Sequence, residues 1–126
     1  MTLLDTNVLL WLFIGDTRLS PQLVRSIEKS PADYGVSIVS LWEVATKQAI
    51  GKLQLTIDLP QAIAAAGFVS LALTEPHVAR YAGLPLLHRD PFDRMLVAQA
   101  LTENWRLATA DSILGTYGVA ITTAKA

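Results

Sequence analysis

Cysteine is absent from the 126 residues, which excludes a disulfide framework, a thiolate zinc site and a cysteine nucleophile. Charge is scarce. Charged residues make up 17% of the chain, against about 25% in a typical globular protein. Neither sign dominates: ten Lys and Arg face eleven Asp and Glu, for a net charge of −1, so global charge points to neither nucleic acid nor membrane. Long apolar runs are missing as well. The run Val8–Ile14 is far too short to span a bilayer. No basic stretch precedes it, because the first charge is Asp5 and the first basic residue Arg18, so no signal-peptide pattern is present. The expectation is a soluble, cytoplasmic chain with no membrane contact. Histidine occurs twice, at His77 and His88, without the i, i+4 pairing of helical zinc sites.

What is present is apolar mass. Hydrophobic residues make up 52%, and a chain of this size buries roughly two-thirds of its unfolded surface. Disorder is excluded as the main state, and residues 1–126 are expected to form one domain. Short apolar strands alternate with helical stretches. Strands are expected at Thr2–Leu4, Tyr34–Ile38, Phe68–Leu73, Arg106–Thr109 and Val119–Thr122. Helices are expected at Asn7–Ile14, from Pro21 behind an N-cap Ser20, at Ser40–Ile50, Leu59–Ala66, Glu75–Ala82, from Pro91 to about Trp105, and briefly at Asp111–Leu114. This alternation predicts an α/β domain: a central, mainly parallel sheet of about five strands with helices on both faces.

Four acids sit where a strand ends or a helix begins. Asp5 follows the first strand, and Asp111 follows Arg106–Thr109. Glu43 lies three residues after Ser40, and Asp93 three after Asp90. Each has a plain explanation. Ser40-Leu41-Trp42-Glu43 reads as a capping box. Asp90-Pro91-Phe92-Asp93 reads as an N-cap, a proline and an acid favoured by the helix dipole. Asp5 and Asp111 read as N-caps. Together they have a second explanation. A parallel sheet brings strand ends to one edge, and four converging carboxylates repel unless a cation sits among them. Oxygen donors without cysteine or a histidine pair suit Mg²⁺ or Mn²⁺ rather than zinc.

The residues also carry a resemblance. Leu4-Asp5-Thr6-Asn7 is similar to the first motif of PIN-domain ribonucleases. Ser40-Leu41-Trp42-Glu43-Val44-Ala45, with Lys47 and Gly51-Lys52-Leu53, is similar to the second. His88-Arg89-Asp90-Pro91-Phe92-Asp93-Arg94 resembles the third, and Leu107-Ala108-Thr109-Ala110-Asp111 the fourth. Order and spacing match through about Val119. The likeness is to the VapC toxins of bacterial toxin–antitoxin pairs, in the branch with the Asp-Pro-Phe-Asp-Arg motif. It implies a PIN-like three-layer sandwich, a homodimer, and an Mg²⁺-dependent endoribonuclease held inactive by a cognate antitoxin, with Mn²⁺ able to substitute. It implies that Asp5, Glu43, Asp93 and Asp111 form the catalytic and metal-binding quartet. Asp5 and Asp93 come first as direct ligands, Glu43 binds metal or orients water, and Asp111 acts through water. Thr109, Thr6 or Asn7 would orient a ligand, and Asp90 is a helix N-cap first and a site residue second.

The remaining residues keep two readings each. Arg89 and Arg94 either touch RNA phosphates or pair with nearby carboxylates. Lys47 stands one turn beyond Glu43 and either pairs with it or contacts phosphate. His77 and His88 read as structural, His88 having the better claim to a place near substrate. Trp42 and Trp105 read as core. The first helix is apolar all round, so it is either central core or a surface for a second copy or an antitoxin; Trp11 and Phe13 point to opposite faces, which predicts that at least one is exposed. Two other functions compete less well. An inactive PIN scaffold serving as a binding module is disfavoured because all four acidic positions hold acids. A receiver-type phosphate-transfer domain is disfavoured because one acid, not a pair, follows the first strand. With the quartet set aside, seven acids face ten basic residues, so local charge toward an RNA phosphate is favourable although the total is not.

Overall fold

A computed structural model describes residues 1–126. Five strands form one all-parallel sheet in the order β3-β2-β1-β4-β5. They are β1 (Thr2–Leu4), β2 (Tyr34–Ser37), β3 (Val69–Leu71), β4 (Arg106–Thr109) and β5 (Ile121–Thr123). Six α-helices connect them: α1 (Thr6–Ile14), α2 (Pro21–Lys29), α3 (Ile38–Ala49), α4 (Leu59–Ala66), α5 (Glu75–Gly83) and α6 (Pro91–Glu103). Short 3-10 segments cover Pro31–Asp33 and Ser112–Tyr117. No helix is long and apolar enough to cross a membrane.

Strand alternation divides the core into two layers. Leu4, Val36 and Ala108 join Val8, Leu9, Leu23, Ile27, Leu59 and Ile63 on one face. Leu3, Leu71 and Leu107 join Leu96, Val97, Ala100 and Leu114 on the other. The α3 helix serves both, through Val44 on the first face and Val39 on the second. These are the three layers expected from the alternating pattern. Gly35 is required on β2, because a Cβ there would lie 2.5 Å from the Trp105 ring.

Several boundaries differ from the sequence expectation, each for a local reason. The third helix begins at Ile38, not Ser40, because the Ser37 hydroxyl accepts the Val39 N–H at 3.0 Å and caps it. Ser40 is therefore inside the helix, and its pairing with Glu43 is not a capping box. Ile38 and Trp42 share one outward face of this helix, 49% and 58% exposed, so Trp42 is not core. Trp105 is half-buried against Gly35. The sixth helix stops at Glu103 because Asn104 adopts the left-handed conformation at φ 58°. In α1, Val8 and Leu9 are buried while Trp11 and Phe13 are both half-buried. The Arg18 guanidinium lies 4.7 Å from the Trp11 ring centre, and Phe13 meets Phe68 edge-on at 6.3 Å.

Topology already marks one place on the sheet. The chain lays β1, β2 and β3 outward in one direction, then crosses to place β4 and β5 on the other side of β1. The switch falls between β1 and β4, and ligands of open parallel sheets bind outside the carboxyl ends of the strands there. A receiver-type domain has a different strand order, 2-1-3-4-5.

Candidate metal centre

Asp5 follows β1 and caps α1, its Oδ1 accepting the Val8 N–H at 2.8 Å. It is almost fully buried. Burial pushes its carboxyl up to about 6; hydrogen bonds from the Thr109 hydroxyl and the Val8 N–H oppose the rise, and the charges of Glu43 and Asp111 add to it. Thr109 thus serves two acids, since its Oγ1 also accepts the Asp111 N–H at 3.0 Å.

Asp93 stands in the first turn of α6. Asp90 caps that helix, its Oδ1 accepting the N–H groups of Phe92 (2.8 Å) and Asp93 (3.1 Å). Burial first, then the charges of Asp90, Glu43 and Asp5, push the Asp93 carboxyl up to about 7, against the opposing influence of His88. Asp111 lies two residues past β4, and its Oδ1 accepts the Ile113 N–H at 3.0 Å. Asp5, Asp93 and Asp111 line one polar cavity of about 350 Å³ with Asn7, Ala110 and Ser112.

Glu43 stands behind this cavity on α3. One oxygen pairs with Lys47, four residues on, and the other, Oε1, is buried with no partner. The Lys47 ammonium is held above its ordinary range, first by Glu43 and then by Asp90 and Asp93. The four acids of the sequence motifs therefore do converge. Their chemistry fits a hard divalent cation: the four acids offer carboxylate oxygens, two of these acids are pushed toward neutrality first by burial and then by neighbouring acids, and one buried oxygen is left without a donor.

The remaining candidates separate. Asn7 and Ser112 line the cavity, and Ser112 was not singled out from sequence. Thr6 is buried, and its hydroxyl donates to Ser40 Oγ at 3.0 Å, tying α1 to α3. Arg94 turns away from the acids. Its guanidinium lies 4.6 Å from the Tyr81 ring centre and donates to Tyr81 Oη and the Leu84 carbonyl, both at 3.2 Å. Arg89 is exposed. His77 is fully buried, with Nδ1 accepting the Thr74 N–H at 3.1 Å and Nε2 2.8 Å from Glu103, a structural role.

His88 is where sequence reasoning fell short. Its Nε2 lies 3.0 Å from Asp111 Oδ2 and 3.6 Å from Asp93 Oδ2. Its place beside Arg89 and the acidic motif gave it the better claim of the two histidines to stand near substrate, but nothing in the sequence pointed to Asp111 as its partner.

A comparison with family models matches the PIN domain over residues 2–119. The chain belongs to the PIN domain family. Solved structures similar to this PIN chain include FitAcB from Neisseria gonorrhoeae (22% identity, TM-score 0.70, covering 98% of this chain and 97% of that one). A toxin–antitoxin complex from Klebsiella pneumoniae is similar at 18% identity and TM-score 0.69, covering 98% and 97%. VapBC2 from Rickettsia felis, bound to a DNA fragment from its promoter, is similar at 14% identity and TM-score 0.75, covering 98% of each chain. At these identities the likeness is one of fold. No curated protein matches the chain.

Proposed function

We propose that this PIN-family chain is a Mg²⁺-dependent endoribonuclease, with Mn²⁺ able to substitute, acting in the cytoplasm as the toxin of a toxin–antitoxin pair. The observation that carries the reading is the convergence of Asp5, Asp93 and Asp111 on one cavity, with Glu43 close enough for its charge to act on Asp5 and Asp93 and with one buried Glu43 oxygen unpartnered. Asp5 and Asp93 would hold the cation directly, Asp111 would act through water, and Glu43 would bind the cation or orient a water. When bound, the cation supplies water activation at neutral pH and charge for the departing 3′-oxygen. The residues themselves set the geometry. Thr109 holds Asp5 and the Asp111 backbone in register. Lys47 pairs with one Glu43 oxygen and leaves the other, Oε1, buried without a partner. Asn7 and Ser112, with polar groups at the cavity wall, meet the substrate phosphate. Hydrolysis by this route leaves a 5′-phosphate and does not use the 2′-hydroxyl as nucleophile.

The solved structures with this fold include toxin–antitoxin complexes, which supports a cognate antitoxin as partner; the working form is a homodimer of the single 1–126 domain. An apolar groove of about 340 Å³ among α1, α2 and α4, lined by Leu12, Phe13, Ile27, Pro31 and Phe68 among others, supports a protein partner at that face. The decisive experiment expresses the chain with and without its neighbouring antitoxin gene and maps cleaved RNA ends. Growth arrest relieved by the antitoxin, with new 5′-phosphate ends that disappear in EDTA, is the expected result. Unchanged RNA from pure, Mg²⁺-loaded protein that still binds the partner identifies a binding scaffold instead.

A further inference from the structure

The segment between α5 and α6 is fastened from a distant part of the chain. The Tyr117 phenol oxygen accepts the N–H groups of Leu87 (3.1 Å) and His88 (2.9 Å). So held, His88 projects its ring toward the acids. Its Nδ1 accepts the Asp90 N–H at 3.1 Å, and an imidazole that accepts at Nδ1 carries its proton on Nε2. That Nε2–H lies 3.0 Å from Asp111 Oδ2. It is a donor to a carboxylate, not a lone pair offered to a metal.

Asp111 needs such a donor. Asp5 is buried and bonded by Val8 and Thr109, and Asp93 is set in the first turn of α6. The Asp111 side chain is 39% exposed, and apart from His88 it holds only the Ile113 N–H through Oδ1. With the His88 donor on Oδ2, both oxygens are engaged and the carboxylate plane cannot rotate toward solvent. We propose that His88 is a positioning residue whose Nε2–H holds Asp111 beside Asp93 and so sets the affinity of the centre for its divalent cation. The proposal rests on the metal-centre reading of the four acids. Groups that orient metal ligands are typically worth about 10–100-fold in metal affinity.

The test is Mg²⁺ binding by calorimetry to wild type, His88→Ala, His88→Gln and Tyr117→Phe, with thermal unfolding of each. His88→Ala should bind Mg²⁺ about 10–100-fold more weakly, and saturating Mg²⁺ should restore most of its turnover. In His88→Gln the amide nitrogen takes the place of the Nε2–H and should recover most of the affinity. Tyr117→Phe removes only the hydroxyl that fastens the segment and should weaken binding in the same direction, which keeps the idea testable if His88→Ala fails to fold. Nitrogen NMR should show a protonated His88 Nε2 with and without Mg²⁺. Equal affinity in His88→Ala, no recovery in His88→Gln, or loss of the Nε2 proton on Mg²⁺ loading overturns the proposal alone, the last by making His88 a ligand. Failure of wild type to bind Mg²⁺ overturns the metal-centre reading and the proposal with it.

Discussion

The N-terminal ends of α5 and α6, two helices packed against each other, use similar local parts to opposite effect. Each starts with a proline in its first turn behind a polar residue at the N-cap, Thr74 or Asp90, and each has a histidine close by. At α5 the polar demand is met internally. The His77 ring is buried, with both nitrogens partnered by Thr74 and Glu103. At α6 the demand exceeds what the protein supplies. Asp90, Asp93, Glu43 and Asp5 raise one another's energy, and Lys47 and His88 are the cationic or donor groups that face them. A closed polar network rigidifies a fold; an open one of a single sign stores a requirement for an outside partner.

Substitutions at the two ends should therefore separate chemistry from stability. Asp93→Asn or Asp5→Asn should lower RNA cleavage by at least about 10²–10³-fold, the scale for losing one electrostatic partner at a reacting centre. The fold should survive, because the side-chain amide introduced by Asp5→Asn keeps an acceptor oxygen for the Val8 N–H. The metal-free melting temperature should rise by a few degrees as repulsion falls. Retained cleavage at near wild-type rate would refute this assignment. At the other end, His77→Ala should cost about 2–4 kcal/mol through a cavity and orphaned partners, read by denaturant unfolding, while the folded fraction keeps its turnover per molecule. An unchanged unfolding midpoint would show that the α5 network contributes nothing to stability.

Cation binding sharpens the same contrast. At a concentration of 100 times Kd, Mg²⁺ should stabilise wild type by about 2.7 kcal/mol; Asp93→Asn should lose most of that gain and His77→Ala should keep it. A thermal shift of equal size in Asp93→Asn would place the cation elsewhere. The same contrast can be read with pH, in EDTA. Asp5 and Asp93 rise from 3.8 to about 6 and about 7 in the folded state, so the folded form binds their protons more tightly. That contribution is complete below about 4 and is lost as pH rises through 6 to 7. Metal-free wild type should therefore lose stability across this window, and Asp5→Asn should lose less. A flat profile for wild type would show that the acids are not in conflict.

Most of the acidic site was legible because its chemistry coincides with local signals. An acid after a short strand, or in the first turn after Asp-Pro, is marked by its own neighbours. Four features were not. Ser40 lost its capping role to Ser37, and the choice between them depends on where β2 ends, which follows from its pairing of Ser37 with Leu71 on β3. Trp42 lies with Ile38, four residues before it, on the exposed face of α3, while Val39, Ser40, Glu43 and Val44 take the buried one. His88 meets a partner 23 residues away, and Arg94, flanking Asp93 in sequence, turns to the Tyr81 ring instead.

By itself the sequence determined the alternation of strands and helices, the two apolar layers and the identity of the four acids. These depend on periodicity, capping and residue type, which act over a few residues. Only the tertiary structure decided which polar groups face one another: that Thr109 binds Asp5, that Glu43 keeps one oxygen unpartnered, and that Tyr117 and Asp90 aim His88 at Asp111. Such pairings depend on distances of a few ångströms between segments far apart in the chain, and those distances come from the strand order and the packing of helices on it.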